Sequence, residues 1–334
     1  MNDMALSVSF IVPALNEKLR ITGALESIKN QDYPGEIEII LADGGSTDGT
    51  VEIARKFGCK IFRDPTKLPE ARMDAAFKQA RGEICIFMDA DNCLIGKNWL
   101  TKMMKPFEDP EVQAVTTHPA SEKDEFFLNR YINNLPSDPL TFFVHGYHED
   151  LREMRRVYPV EKETADYIIF KFNSRDYPII AMHQGFALRK SVQRNELSVE
   201  DDILPIIEMI ENNQKIAYVP NAGVRHLSIY SISGFFNKYR RRTLVGLTGN
   251  NSFKNRLKHL PWQKKIRAYI APLYFISFIW PAFTGARRFI QTRDSVLLLH
   301  PFICGLFFFA MLSGFLDYLL QFGKVEKQYL LNTK

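Results

Sequence analysis

Residues 84–91 read Ile84-Cys85-Ile86-Phe87-Met88-Asp89-Ala90-Asp91: five apolar side chains run directly into two carboxylates at i and i+2. A short unbroken apolar run fits a strand buried on both faces, and such strands belong to parallel sheets covered by helices. The two acids then stand beyond the strand's carboxyl end, where open α/β sheets collect their ligands. Outward from this stretch the punctuation repeats. Val8–Val12 is an apolar run ended by Pro13 and followed by Ala14-Leu15-Asn16-Glu17. Glu36–Leu41 runs into Asp43-Gly44-Gly45-Ser46-Thr47-Asp48-Gly49, a turn in which Thr47 or Asp48 can cap a helix at about 50–57. With helices expected at about 18–30 and 69–80 and a further strand at 60–63, the order is that of an α/β domain with a mostly parallel central sheet. The stretch 116–180 has several prolines, many aromatics and no clean period, and reads as an insertion shaping an acceptor cleft. Order returns at 181–190, followed by a helix at about 201–212 and a strand at 216–219.

The 334 residues suit one large catalytic domain with an appendage. A net charge of +5 is too mild to argue for nucleic acid. Lys and Arg are nevertheless concentrated between 238 and 267, which suggests an anionic surface as partner. The cysteines, Cys59, Cys85, Cys93 and Cys304, have neither metal-ligand nor disulfide-framework spacing and read as reduced thiols. Phe10-Ile11-Val12 is too short for a signal sequence, so the catalytic part is expected in the cytoplasm.

Beyond His226 the character changes. Residues 227–267 mix aromatic and aliphatic side chains with Lys and Arg, as amphipathic helices in a membrane interface do. Residues 268–286 carry no charge, and residues 295–316 none when His300 is neutral, so two membrane-embedded segments are expected within 268–321, followed by a polar tail at 322–334. The competing reading is a pair of buried helices in a soluble domain. A plain hairpin would send Arg287, Arg288 and Arg293 to the outer side, against the positive-inside tendency, and Pro272 and Pro281 make the first segment a candidate for a kinked or re-entrant element.

Four acidic groups follow in order: Asn16-Glu17, Asp43 with its glycine-rich turn, Asp89/Asp91, and Glu200-Asp201-Asp202. Each alone is weak, since an Asp-Gly-Gly-Ser turn is commonly only a turn. Together they suit a nucleotide diphosphate leaving group, whose charge needs a divalent cation held by one or two carboxylates and the phosphates themselves.

The ordered set Pro-x-x-Asn-Glu, Asp-Gly-x-Ser-x-Asp-Gly-Thr, Ala71-Arg72, Asp89-Ala90-Asp91 and Glu200-Asp201 resembles inverting family 2 glycosyltransferases of the GT-A fold over roughly residues 7–226. The resemblance implies that Pro13, Glu17 and Asp43 line the nucleoside pocket and that Arg72 lies near the donor. It implies that Asp89 contacts the ribose side while Asp91, with His226 nearby, binds Mg²⁺ or Mn²⁺. Asp201 would be the catalytic base, with Asp202 as alternative base or helix cap, and His183 and Gln184 would stand on the acceptor side. Met73 and Ala75 occupy positions where the family often has Asn and Gly. The Gln-x-x-Arg-Trp motif of processive synthases is absent; Tyr239-Arg240-Arg241-Arg242-Thr243 stands in that region, which favours transfer of a single sugar and makes Arg240 and Arg241 candidate acceptor contacts.

A sugar-phosphate nucleotidyltransferase would need a glycine-rich basic loop after the first strand, and Ala14-Leu15-Asn16-Glu17-Lys18 has no glycine. The P-loop and dinucleotide fingerprints are also missing. The expected activity is therefore transfer of one sugar, most simply from a UDP-sugar, to a lipid-linked acceptor such as a polyprenyl phosphate or lipid-linked oligosaccharide. Anionic lipids would be the second partner. The alternatives are a polysaccharide or other non-lipid acceptor, or a membrane-bound scaffold with a degenerate transferase domain.

Overall fold

The chain begins with β1 (Val8–Ala14), α1 (Ile21–Lys29), β2 (Ile37–Asp43), α2 (Thr50–Lys56), β3 (Lys60–Arg63), α3 (Pro69–Gln79) and β4 (Ile84–Met88), the expected strand–helix alternation. It continues through β5 (Asn92–Leu94), α4 (Trp99–Met104), β6 (Val112–Thr116), β7 (Pro119–Ala120), α5 (Phe127–Asn134) and α6 (Pro139–His145). Then follow α7 (Leu151–Val157), β8 (Val160–Glu163), β9 (Ile168–Phe170), β10 (Gln184–Arg189), α8 (Leu204–Glu211), β11 (Lys215–Tyr218) and β12 (Val224–His226). The last elements are α9 (Ile232–Thr248), α10 (Trp262–Ile276), α11 (Ile279–Thr292), a 3-10 turn at Ser295–Leu299 and α12 (His300–Gln321). This computed structural model describes residues 5–65, 69–135, 137–146, 150–180, 182–192, 203–248 and 258–321.

Among the described residues one nine-stranded sheet runs β3-β2-β1-β4-β10-β6-β11-β9-β8. Its first four strands are parallel, in register Ala14 to Asp43 and Ile11 to Phe87. Beyond β4 the sheet is mixed, because β10 lies antiparallel between β4 and β6. A second small sheet, β5-β12-β7, carries the chain that follows Asp91. All seven residues of β1 and all five of β4 are buried, as the apolar runs require. Alternate side chains enter opposite layers. Phe10, Val12, Ile84 and Ile86 meet α1 and α4 through Leu25, Ile28, Trp99 and Met103. Ile11, Cys85 and Phe87 meet α3 and α8 through Met73, Phe77 and Ile206. The helix expected at 18–30 starts at Ile21 and buries Ile21, Ala24, Leu25 and Ile28, the i, i+3, i+4, i+7 stripe of a helix lying on a sheet.

The chain divides into two compact units, residues 1–120 with 147–227, and residues 121–146 with 228–334. Residues 121–146, inside the stretch 7–226 that carries the resemblance, thus fall in the second unit. Those residues form α5 and α6, whose Leu128, Tyr131 and Leu135 share an apolar cluster with Phe235, Tyr239 and Phe307. The carboxamide of Asn129 accepts hydrogen bonds from the backbone N–H groups of Ser228 and Ile229, at 3.0 and 3.1 Å. Periodicity could not reveal this, because what covers α5 lies about 100 residues away in sequence. The uncharged stretch 268–286 is not one element either: the helix breaks between Ile276 and Ile279, and α10 and α11 meet at 96°. Phe278 holds φ at +55°, a left-handed conformation rare for a bulky residue, and Pro281, which has no N–H to continue α10, lies in the first turn of α11.

Phe87, fully buried and 5.8 Å from the Phe77 ring, tests the layered core. Phe87→Ala is expected to cost about 3–5 kcal/mol and to lower the thermal midpoint of the detergent-solubilised chain by several degrees. Leu19→Ala, at a 95 % exposed side chain, should leave the midpoint unchanged; equal melting of the two variants would contradict the layering.

Candidate active site

Four loops reach the carboxyl edge of the parallel strands, and the register explains why. Ala14 lies opposite Asp43, and the N–H of Gly44 donates to the Ala14 carbonyl at 2.8 Å, so the loops after β1 and β2 leave the sheet side by side. They are laced together. The Asn16 N–H donates to the Ser46 hydroxyl at 2.9 Å and the Thr47 N–H to the Asn16 carboxamide at 2.7 Å. The Glu17 N–H donates to Thr50 Oγ1 at 2.8 Å and the Lys18 N–H to Asp48 at 3.1 Å. Asn16 tolerates its φ of +52° because its short amide replaces lost backbone partners. Neither expected cap holds that position: the N-cap of α2 is Gly49, and Asp48, one residue before it, accepts from Thr50 N–H at 3.0 Å and Thr50 Oγ1 at 2.6 Å. Against the opposing effect of desolvation, these bonds and that from Lys18 hold the Asp48 carboxyl below its usual range.

Asp43 is fully buried, and both of its oxygens are engaged. One accepts the Ser46 N–H at 2.9 Å; the other accepts the Gly45 N–H at 3.1 Å and faces Arg63 Nε at 3.3 Å. Its visible role is to shape the turn that forms the pocket wall. Arg72 is buried beneath that wall, donating from Nε to the Ala42 carbonyl at 3.0 Å. A Cβ on Gly44 would lie 2.6 Å from its guanidinium, so the two groups pack closely there. Pro13 ends the same edge within β1.

Asp89 and Asp91 follow β4 as expected. Because β10 is antiparallel, its start rather than its end reaches this edge: Gln184 pairs with Met88, and the Asp89 N–H donates to the His183 carbonyl at 2.9 Å. His183 Nδ1 stands 3.4 Å from Asp89. In the second sheet His226 pairs with Asn92, and the Leu227 N–H donates to the Asp91 carbonyl at 2.9 Å. That pairing sets His226 Nε2 3.6 Å from the Asp91 carboxylate. The Gln184 amide lies 3.4 Å from the other ring nitrogen of His226, so Gln184 is positioned to orient that imidazole. Glu17 completes the cluster, ion-paired with Arg20 at 3.1 Å. Its carboxyl is raised above the usual range, first by burial, which Arg20 opposes, and then by the charges of Asp91, Asp89 and Asp48.

The donor set can be tested against a divalent cation. Among the described residues no three His, Cys, Asp or Glu side chains form a closed shell. Asp91 and His226 nevertheless offer a carboxylate and an imidazole side by side, a pair that suits a cation whose remaining ligands come from a diphosphate. Mg²⁺ or Mn²⁺ fits those residues.

Some candidates fall elsewhere. Arg240 and Arg241 belong to α9 in the second unit, where Arg240 makes a two-pronged ion pair with Asp317, its Nη2 donating at 2.9 Å. Its guanidinium ties α9 to α12. Asp201, with Glu200 and Asp202, lies outside the described residues. Sequence reading passed over Ser46, Thr50, Arg63 and Asn92. Asn92, fully buried, donates its amide to the His183 carbonyl at 2.8 Å and so ties the Asp89–Asp91 loop to β10. Its place immediately after Asp91 was the one signal available.

Residues 9–192, more than half of the chain, match the model of the family described as Glycosyl transferase family 2. A similar curated protein is the uncharacterised glycosyltransferase YfnE of Bacillus subtilis, 35% identical over 111 residues, covering 32% of this chain. Another is the dolichyl N-acetyl-alpha-D-glucosaminyl phosphate 3-beta-D-2,3-diacetamido-2,3-dideoxy-beta-D-glucuronosyltransferase of Methanococcus voltae, 33% identical over 91 residues, covering 25% of this chain. The matches span only 28% of each relative's own length. Among solved structures, the mannosyltransferase PcManGT of Pyrobaculum calidifontis, in complex with GDP-Man and Mn²⁺, is 16% identical. It covers 94% of this chain and 90% of its own at a TM-score of 0.49. With the family model matched across the strands and loops that build the acidic edge, the chain belongs to glycosyl transferase family 2.

Proposed function

We propose that the chain moves a single sugar, with inversion, from a nucleotide-sugar to a lipid-linked acceptor at the cytoplasmic face of a membrane, and that UDP-sugar is its donor. The observation carrying this reading is the convergence of Glu17, Asp89, Asp91 and His226 at one sheet edge, beside the pocket wall held by Asp43 and Arg72. The relative from Methanococcus voltae is named for transfer to a dolichyl-phosphate-linked sugar, and the apolar outer surface of the second unit supports an acceptor of that kind.

In this reading Pro13 and the turn at Asp43 flank the base and ribose, Asp89 lies toward the ribose, and Arg72 keeps the wall in place from beneath. Asp91 and His226 would hold Mg²⁺ or Mn²⁺, which when bound neutralises charge on the departing diphosphate. Gln184 orients His226, and the His183 ring beside Asp89 marks the acceptor side. Asp201 takes the proton from an attacking hydroxyl as the bond to the anomeric carbon forms and the diphosphate leaves. Polyprenyl phosphate would present an oxygen that is already ionised and needs no base; the hydroxyl of a lipid-linked sugar needs one. The two acceptor classes therefore separate on Asp201.

Asp91→Ala is expected to abolish the enhancement of UDP-sugar binding by Mn²⁺ while leaving thermal unfolding in place, as read by calorimetry. Unchanged metal-enhanced binding would remove Asp91 from the metal site.

With a hydroxyl acceptor, Asp201→Asn should lower kcat by roughly 10²–10⁴-fold and leave donor affinity unchanged. Asp202→Asn should cost no more than a helix cap, about 1 kcal/mol of stability. Loss of transfer on Asp202→Asn with full activity of Asp201→Asn would exchange the two roles. An Asp201→Asn variant that still glycosylates polyprenyl phosphate at the wild-type rate would instead assign the acceptor as the phosphate.

A further inference from the structure

The second unit is apolar both in its core and over much of its outer surface, and the polar groups it buries are partnered within the protein. At its centre His300 is fully buried, with one ring nitrogen on the Tyr131 hydroxyl and the other 2.8 Å from the Tyr274 hydroxyl, joining α5, α10 and α12. Arg288 of α11 is buried as well and donates to the Asn134 carbonyl at 2.9 Å. Outward-facing positions carry Tyr269 (81 % exposed), Leu273, Trp280 (68 %), Phe283 (74 %) and Phe302. On α10 and α11 these recur at helical spacing, so the exposed side is a continuous stripe. In water such a surface is unfavourable; in hydrocarbon the arrangement is the expected one, since polar groups there must find partners within the protein.

Charge completes the pattern. From Trp262 to Arg293 there is no Asp or Glu, while Lys264, Lys265 and Arg267 stand near the start of α10 and Arg287, Arg288 and Arg293 near the end of α11. The uncharged stretch between them is centred on the 96° bend. At about 1.5 Å per residue, α10 with 15 residues and α11 with 14 are each about 22 Å long, short of a hydrocarbon core of roughly 30 Å. Bent by 96°, the pair is either one broken span or a re-entrant elbow, and the cations at both of its far ends favour the elbow. Ser295–Leu320 is long and apolar enough to cross. Yet α12 packs along α9: Tyr239 meets Phe307 at 4.7 Å, Gly314 abuts the Arg240 carbonyl, and Arg240 pairs with Asp317. A crossing α12 would have to carry Lys238, Arg240, Arg241 and Arg242 toward the hydrocarbon with it.

We propose that the second unit is monotopic: α10 and α11 form an elbow dipping into one leaflet of an anionic phospholipid bilayer, α12 lies in that leaflet behind the basic helix α9, and no helix crosses. The proposal rests on the membrane attachment in the preceding reading and specifies its form. Both arms of the elbow return their cations to the same headgroup layer, which removes the conflict between Arg287, Arg288 and Arg293 and the positive-inside tendency.

The test uses the full-length chain with phosphatidylglycerol–phosphatidylethanolamine vesicles. Trp262→Phe leaves Trp280 as reporter and Trp280→Phe leaves Trp262, each over the constant signal of buried Trp99. The chain should float with these vesicles and resist release by high salt. Lipids brominated midway down the acyl chain should quench Trp280 more strongly than Trp262, and lipids brominated near the headgroup should reverse that order. Ser295→Cys, exposed between α11 and α12, and Thr333→Cys, beyond the other end of α12 in the sequence, should in separate variants each react with an impermeant maleimide added on the side of the catalytic unit, above the wild-type background. Floating protein in which either cysteine reacts only after the vesicles are opened would show a crossing helix; the monotopic proposal would fall and the lipid-acceptor reading would stand. No flotation, together with a dimer that Phe283→Asp dissociates, would overturn both and assign the apolar face to a second copy of the chain.

Discussion

Parallel pairing of β1 with both β2 and β4 is the constraint from which the site follows. In a parallel sheet every carboxyl end emerges on one side, so three separate loops are delivered to a common edge by backbone hydrogen bonding alone. The strands can hold that geometry because both of their faces are buried, Phe10 and Ile11 entering opposite layers from adjacent positions. A one-residue slip would exchange those layers and displace Asp43 from Ala14. Rigidity of the edge is thus a consequence of packing well below it.

The edge is charged, and its stability depends on how those charges are met. Asp43 is buried at a cost that its two backbone donors and Arg63 offset. Glu17, Asp89 and Asp91 face Arg20, His183 and His226, and burial raises the Glu17 carboxyl, to which the charges of Asp91 and Asp89 add. Asp43 and Asp91 differ in how they are engaged: both oxygens of Asp43 are taken up by its own turn and Arg63, whereas the Asp91 carboxylate faces the His226 imidazole.

In the second unit the same rule about polar groups operates. His300, Tyr131 and Tyr274 satisfy one another internally, and the Arg240–Asp317 pair joins two helices, while aromatic and aliphatic side chains of α10 and α11 face outward.

By itself the sequence determined the α/β alternation, the strands β1, β2 and β4, and the carboxylates that follow them, because these are local: an apolar run ended by a turn or an acid fixes both the element and where its polar residues emerge. It also marked residues 268–321 as apolar and 238–267 as basic. Only the tertiary structure decided that β10 runs antiparallel and so brings His183 and Gln184 to the acidic edge, and that β12 sets His226 beside Asp91. The same holds for Asn92 as a tie between loops, for the assignment of 121–146 to the second unit, and for the engagement of Arg240 by Asp317. Each of these depends on pairing across tens of residues or more, and the 96° elbow sits at Phe278. Chain direction in a sheet and the partner of a buried side chain are set by what packs against them, and no window along the sequence contains both halves of that contact.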